Sequence, residues 1–125
     1  MRLLLDTHVF LWWAADDPQL GNGARNAIAS PDSYVAVSAV VAWELGIKRA
    51  LKKLDAPLDP CEQIDRHSFE ELPITIAHAV RAASLPRLHH DPFDRLLIAQ
   101  AQLENLSIVT RDSKIIRYDV STLVA

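Results

Sequence analysis

The stretch that decides the fold is residues 91–112, DPFDRLLIAQAQLENLSIVTRD, in which a predicted helix leads directly into a predicted strand. Asp91 is a favourable helix N-cap, and Pro92 suits the first helical position because its missing N–H would have no partner there. Apolar residues then recur at helical spacing as far as about residue 105. The run that follows, residues 106–110, is short and mostly apolar, which is typical of a strand buried on both faces. A helix that leads into such a strand is a unit of a parallel α/β sheet.

The rest of the chain repeats this alternation of strands and helices. We predict strands at residues 3–5, 34–37, 72–74, 106–110 and 120–124. We predict helices at residues 7–15, 24–30, 39–52, 60–69, 76–85, 92–105 and 113–118. Strands that are separated by helices pair in parallel, since the crossover returns the chain to the same end of the sheet. The length of 125 residues suits one domain over residues 1–125, so the sequence predicts a single-domain α/β fold.

Charge, cysteine content and hydropathy exclude several classes of protein. The net charge of −3 argues against a globally basic nucleic-acid binder, so nucleic acid would need a local basic patch or metal ions. The single cysteine, Cys61, permits no intrachain disulfide and favours a reducing compartment. The longest apolar run, residues 9–15, is too short to cross a bilayer, and the three leucines before Asp6 do not form a signal-peptide core. We therefore expect a cytoplasmic protein without a membrane partner.

Glu44 falls on the predicted apolar face of the third helix. The spacing of Val40, Ile47 and Leu51 defines that face. Glu44 lies four residues after the first of them and three before the second. A buried carboxylate is costly unless a partner or a cation neutralises it. The structural alternative is that Glu44 lies at the edge of the face and pairs with Lys48.

Asp94 has the same property in the helix of the opening stretch. Apolar residues lie three, four and seven positions after it, at Leu97, Ile98 and Ala101, so Asp94 continues their face. The structural alternative is a first-turn acid that favours the helix dipole and completes a capping box with Asp91.

Two further aspartates follow predicted strands. Asp6 ends the run of three leucines, and Asp112 comes shortly after the strand at 106–110. In an open parallel sheet, ligands bind beyond the carboxyl ends of the strands, close to the point where the strand order reverses. Each aspartate alone could be a helix N-cap. Together with the two helical acids, however, they predict one acidic site at that edge.

A cluster of carboxylates predicts a hard divalent cation. Two carboxylates about 4 Å apart repel each other by about 4 kcal/mol at an effective dielectric constant of about 20. Ligand sets made only of oxygen select Mg²⁺ or Mn²⁺ over zinc or copper. Such ions activate water for in-line displacement at phosphorus. The residues therefore indicate metal-dependent phosphodiester hydrolysis.

Four blocks of the sequence, in this order and spacing, resemble one known family. They are LLDTH at residues 4–8, Ser38 with Trp43-Glu44, HHDPFDRLLIAQA at residues 89–101 and IVTRD at residues 108–112. Together they resemble the PIN-domain ribonucleases, and within these the VapC-type toxins of type II toxin–antitoxin pairs. The resemblance implies a PIN-like three-layer fold, with a short, mostly parallel sheet of about five strands and helices on both faces.

The resemblance also implies the site. It implies an acidic quartet that binds Mg²⁺ or Mn²⁺ and hydrolyses RNA with a metal-activated water, here Asp6, Glu44, Asp94 and Asp112. Residues that would orient carboxylates or waters are Thr7, Ser38, Asp91 and Thr110, for which helix capping is the alternative at several positions. Candidates for contacts with RNA phosphates are Arg95, Arg111 and Lys48. The alternative for Arg95 is an ion pair with Asp91, four residues earlier.

The implied partners are an RNA substrate, a cognate antitoxin of the VapB type and a second copy of the chain. The antitoxin is expected to insert a basic side chain among the acids. The helix at residues 7–15, with Trp12 and Trp13, is apolar around its circumference and is expected to contribute to a contact with the antitoxin or the second copy.

Other functions are left open at this point. A PIN nuclease outside toxin systems, acting on RNA or DNA, and a non-catalytic PIN-fold interaction module are the alternatives, although the intact quartet disfavours the second. His89 and His90 predict no zinc site, because adjacent side chains point to different sides of the chain and no Cys/His spacing accompanies them.

Overall fold

A sheet of parallel strands forms the centre of the computed structural model, which describes residues 1–52 and 58–125. The strands are β1 (Arg2–Leu5), β2 (Tyr34–Ser38), β3 (Glu70–Leu72), β4 (Ser107–Thr110) and β5 (Thr122–Val124). They lie in the order β3-β2-β1-β4-β5, and each neighbouring pair is parallel. The prediction of an α/β fold with a short parallel sheet is confirmed.

Helices cover both faces of this sheet. They are α1 (Thr7–Ala14), α2 (Asn22–Ala29), α3 (Ala39–Ala50), α4 (Pro60–His67), α5 (Ile76–Ser84), α6 (Pro92–Glu104) and α7 (Ser113–Ile116). Successive side chains of a strand point to opposite faces, yet Leu3, Leu4 and Leu5 are all fully buried, so neither face of β1 is open to water. Within the described ranges, no helix has both the length and the apolar character needed to span a bilayer.

The order of the strands brings the ends of β1 and β4 together. The chain starts at the central strand, adds β2 and β3 on one side, and then crosses to the other side for β4 and β5. Leu5 at the end of β1 is in register with Val109 of β4. The strand order therefore reverses between β1 and β4, and Asp6 and Asp112 follow these two strands at the same edge of the sheet.

Helices α1, α3, α6 and α7 begin at this edge, each with a side-chain cap. The caps are Asp6 (to Val9 N, 2.8 Å), Ser38 (to Val40 N, 3.0 Å), Asp91 (to Phe93 N, 2.8 Å) and Asp112 (to Lys114 N, 2.9 Å). The capping alternatives considered above therefore hold at these four residues. A cap uses one oxygen of a carboxylate, so the aspartates still have a second oxygen for another contact.

The apolar face predicted for α3 is wrong in its last turn. Val40 is fully buried, but Ile47 is only half-buried and Leu51, just after the helix, is 60% exposed. The buried side is formed by the first two turns and consists of Val40, Val41, Glu44 and Leu45. Spacing assigns residues to a face of a helix, but it does not say how far along the helix that face stays in contact with the core.

The third strand lies earlier than predicted, at residues 70–72 instead of 72–74. Its position is set by pairing with β2, in which Ala36 is in register with Glu70 and Ser38 with Leu72. Because β3 is at the edge of the sheet, the exposed glutamates at 70 and 71 carry no burial cost, and edge strands often carry such charges. The apolar pattern at residues 72–74 misses a strand of this kind.

Candidate active site

The four predicted acids line one cavity of about 260 Å³ at the carboxyl edge of the sheet. Its lining residues are Asp6, Thr7, His8, Glu44, Lys48, His89, Asp91, Asp94, Asp112 and Lys114. They come from segments far apart in the chain: the ends of two strands, the middle of α3 and the first turn of α6. Two other predicted residues, Ser38 and Thr110, are fully buried behind this surface.

Thr110 connects the two aspartates that follow the strands. Its hydroxyl oxygen accepts a hydrogen bond from the backbone N–H of Asp112 at 3.0 Å, and the hydroxyl donates to the carboxylate of Asp6. Asp6 is almost fully buried, and this burial raises the pKa of its carboxyl above the ordinary value of 3.8. The bonds from Thr110 and from the Val9 N–H act in the opposite direction, and the nearby Asp112 adds to the increase.

Glu44 is both buried and paired. It is 5% exposed. The Thr7 hydroxyl donates to Glu44 Oε1 at 2.6 Å, and Lys48 Nζ lies 2.7 Å from Glu44 Oε2. The two interpretations of Glu44 are therefore not exclusive, because the pair with Lys48 forms at the mouth of a cavity and not on an open helix surface. The Lys48 ammonium therefore lies within the acidic cluster.

Asp94 is joined to a histidine that the sequence analysis did not assign to the site. Asp94 Oδ2 lies 2.8 Å from His89 Nε2, and both side chains are largely buried. Burial raises the pKa of Asp94 to about 6, and the charges of Asp91 and Glu44 act in the same direction, while His89 lowers it. Ligand atoms of His89, Asp94 and Asp112 lie within 4.8 Å of one another, close enough to share one metal ion.

His89 was missed because its position depends on a loop and not on a periodic element. It lies two residues before the N-cap of α6, where no helical or strand spacing specifies the direction of a side chain. The signal that could have found His89 is its place in the sequence, five positions before Asp94. The chain changes direction at the N-cap between them, which can bring the two side chains together.

The Arg95 side chain binds the backbone of the loop at residues 85–89, which precedes α6. This contact corrects the prediction that Arg95 binds RNA phosphates. Its terminal nitrogens donate to the backbone oxygens of four residues and to the Tyr118 hydroxyl; the four are Ala82, Leu85, Pro86 and His89. Tyr118 Oη in turn accepts from the N–H groups of Leu88 and His89 and donates to Pro86 O. The alternative ion pair with Asp91 is also not what the guanidinium forms, since its contacts are with carbonyls and a hydroxyl.

Arg111 is not among the residues that line the acidic cavity. It lies over the ring of Trp12, with Cζ 4.6 Å from the ring centroid. Its guanidinium donates to the backbone oxygens of Gln19 and Ala125. Ser38, the remaining predicted residue, donates to Gln100 Oε1 of α6 at 2.5 Å while it caps α3, and it does not line the acidic cavity.

The donor set fits a hard divalent cation. Asp6, Glu44, Asp94, Asp112 and Asp91 bring five carboxyl groups to the cavity, against the ammonium groups of two lysines. The raised pKa values of Asp6 and Asp94 reflect burial without full compensation by positive charge. A divalent cation held by carboxylate oxygens would supply that compensation.

Comparisons with known proteins agree with this geometry. The PIN domain family model matches residues 3–121. The chain is 32% identical over 117 residues to Ribonuclease VapC22 of Mycobacterium tuberculosis, and the match covers 90% of this chain and 88% of that protein.

Solved structures share the fold at lower sequence identity. VapBC2 from Rickettsia felis, bound to a DNA fragment from its promoter, aligns with a TM-score of 0.72 and 18% identity over 98% of both chains. FitAcB from Neisseria gonorrhoeae aligns with a TM-score of 0.64 and 22% identity over 98% of this chain and 96% of that one. A toxin–antitoxin complex from Klebsiella pneumoniae gives 0.65 and 20% over the same shares. By its family-model match and its ribonuclease relative, the chain belongs to the PIN domain family, among the VapC ribonucleases.

Proposed function

We propose that this protein is the toxin of a type II toxin–antitoxin pair, an endoribonuclease that depends on Mg²⁺ or Mn²⁺. The observation that carries the proposal is the meeting of Asp6, Glu44, Asp94 and Asp112 in one cavity although they lie far apart in the sequence. The ribonuclease name of the relative at 32% identity supports RNA as the substrate.

The four carboxylates would hold the cation, with oxygen ligands that favour Mg²⁺ or Mn²⁺. When bound, such an ion lowers the pKa of water and stabilises the negative charge that develops on a phosphate during hydrolysis. Thr7 and Thr110 would fix the directions of the Glu44 and Asp6 carboxylates through their hydrogen bonds. Hydrolysis by water would leave a 5′-phosphate and a 3′-hydroxyl on the RNA.

Two lysines at the cavity are the proposed contacts for RNA phosphates. Lys48 and Lys114 line the cavity that holds the acids. Lys48 is partly exposed beside Glu44, and Lys114 is exposed in the first turn of α7. Their charges would offset the repulsion between the RNA backbone and the carboxylates. Arg95 has no place in this set, because its donors hold the 85–89 loop.

A cognate antitoxin and a second copy of the chain are the proposed protein partners. The fold is shared with proteins whose structures were solved as toxin–antitoxin complexes. A basic side chain of a VapB-like antitoxin would satisfy the acidic cavity in place of a cation. For the second copy, Ile76 and Val80 of α5 are 84% and 64% exposed and lie four residues apart, on one face of the helix.

Cleavage of RNA by the purified protein tests the proposed activity. We expect cleavage with Mg²⁺ or Mn²⁺ that stops when EDTA is added, because the carboxylates then lose the ion they require. Sequencing the 5′ ends of cellular RNA after brief induction should give discrete 5′-phosphate ends. Cleavage that persists in EDTA would contradict the metal dependence. Cutting of DNA but not RNA would favour the alternative nuclease, and cutting of neither would favour a non-catalytic module.

The activity should depend on the ionisation of Asp94. Its pKa in the metal-free protein is about 6, so below this pH the carboxyl is mostly protonated and a cation has to displace the proton. We expect the affinity for Mn²⁺, measured by titration calorimetry, to decrease as the pH is lowered through about 6. Affinity that is constant across this range would show that Asp94 does not bind the ion.

His89 should act as a positioning residue for Asp94. Replacing it with alanine removes the hydrogen bond at 2.8 Å, and we expect the affinity for Mn²⁺ to drop about tenfold, as is common for the groups that orient metal ligands. His89→Gln, which keeps a donor, should recover part of the loss. His90→Ala is the control, since His90 is exposed and outside the acid cavity. Equal affinities for the His89→Ala and His90→Ala proteins would refute the role.

A further inference from the structure

A second cavity, of about 280 Å³, adjoins the acidic one and shares three of its lining residues. It is lined by Asp6, His8, Trp12, Arg111 and Asp112, of which Asp6, His8 and Asp112 also line the acidic cavity. If a phosphate of a nucleic acid lies at the carboxylates, the nucleotide next to that phosphate lies beside this second cavity.

The far wall of this cavity is aromatic and cationic. His8 and Trp12 lie four residues apart on α1 and so share a face, with their ring centroids 6.0 Å apart and their planes inclined by 41°. The Arg111 guanidinium lies over the Trp12 ring at 4.6 Å. Backbone oxygens of Gln19 and Ala125 accept its hydrogen bonds, so the planar group is held in place before any ligand arrives.

The charges on both sides of this cavity favour an uncharged planar ligand. Asp6 and Asp112 make the near side negative, which repels a phosphate. The Nε and Nη2 donors of Arg111 are bonded to backbone oxygens, so the fork that these two groups could offer a phosphate is occupied, and the guanidinium presents its flat surface. Unpaired RNA bases stack on aromatic rings and on guanidinium planes, and they do so whatever their identity.

We propose that this cavity binds the unpaired base of the nucleotide next to the phosphate held at the acidic quartet. The proposal rests on the proposed ribonuclease function, and it adds that the substrate is single-stranded where it is cut. Arg111 thus contributes to RNA binding through a base and not through the phosphate contact that the sequence suggested.

Binding of two RNA probes tests the proposal. The first is a fluorescein-labelled decamer of adenosine ribonucleotides, and the second is an abasic decamer with the same phosphates. Each protein carries Asp94→Asn, so that the probe is not cut, and the affinities are measured by fluorescence anisotropy. We expect the adenosine decamer to bind at least about tenfold more tightly than the abasic one, and Trp12→Ala to reduce this ratio about tenfold.

A matched control lies at the opposite edge of the sheet. Tyr34, at the amino end of β2, is 37% exposed and has Arg2 over its ring at 4.7 Å, so it reproduces the arginine–aromatic pair away from the acids. Tyr34→Ala should leave the affinity ratio unchanged. A Trp12→Ala protein with the same ratio as its parent would overturn the proposal. If, in addition, a co-expressed antitoxin no longer co-purified with this variant, the cavity would belong to the protein partner instead.

Photo-cross-linking tests the cavity without the Trp12→Ala substitution. A decamer with 4-thiouridine is irradiated with the Asp94→Asn protein, and the linked peptides are identified by mass spectrometry. We expect links within residues 8–12 or at Arg111, and links only elsewhere would overturn the proposal. The function and the cavity can fail separately: RNA cleavage without base-dependent binding contradicts the cavity alone, whereas base-dependent binding without cleavage contradicts the proposed function alone.

Discussion

Replacing Asp94 with asparagine should abolish RNA cleavage and at the same time stabilise the metal-free protein. The variant loses an anionic ligand for a cation whose charge contributes several kcal/mol to phosphate hydrolysis, so we expect activity to drop about a thousandfold or more. The gain in stability has the same origin, because the negative charge that would bind the cation destabilises the folded protein when the cation is absent.

The sign of the stability change follows from the pKa of Asp94. The folded protein raises this pKa from 3.8 to about 6, so it binds the proton more tightly than the unfolded chain does. Stability therefore decreases as the pH rises through this range, and the ionised carboxylate costs about 3 kcal/mol at neutral pH. Asparagine carries no charge, and it retains an oxygen that can accept the hydrogen bond from His89.

Urea denaturation in EDTA at neutral pH measures this gain. The control is Asp32→Asn, because Asp32 lies in an exposed turn before β2, and this change should alter the stability by no more than about 0.5 kcal/mol. Added Mg²⁺ should stabilise the parent protein more than the Asp94→Asn variant. A variant that is less stable than the parent in EDTA, or that still cleaves RNA at the parent's rate, would contradict this account of the site.

Replacing Arg95 with lysine should destabilise the protein by about 3 kcal/mol or more and weaken cation binding. The Arg95 guanidinium donates to backbone oxygens at the end of α5 and in the 85–89 loop, and also to Tyr118. An ammonium is a point charge that cannot reach this spread of acceptors, and each hydrogen bond to a charged group contributes about 1.5–3 kcal/mol. A looser loop would also release His89 from Asp94.

Arg87→Lys is the matched control for this change. Arg87 is exposed and lines the same surface cavity as Arg95 and His89, so it tests the exchange of arginine for lysine without the loop contacts. Urea denaturation and Mn²⁺ calorimetry should separate the two variants clearly. If the Arg95→Lys protein unfolds within about 0.5 kcal/mol of the parent, Arg95 does not hold the loop.

The sequence by itself was enough to predict the order of the strands and helices and to select the four acids of the candidate site. Strands and helices follow largely from local periodicity, and the apolar run of Leu3 to Leu5 favoured a sheet covered on both faces, which the burial of all three residues confirms. The ends of strands and the starts of helices are also local signals, which is why Asp6, Asp94 and Asp112 could be assigned to one edge from spacing alone. Glu44 stood out because a carboxylate interrupts an apolar face.

Only the tertiary structure decided which side chains meet at and around that edge. His89 reaches Asp94 because Arg95 and Tyr118 bind the backbone of the 85–89 loop. The hydrogen bonds of Tyr118 join residues about thirty positions apart. Arg111 lies on Trp12, 99 residues earlier, and so becomes part of a cavity wall instead of a phosphate contact. Spacing along a helix or strand fixes the direction of a side chain within its own element. The packing of elements and loops against each other fixes its partners, because those contacts exist only once the chain has folded.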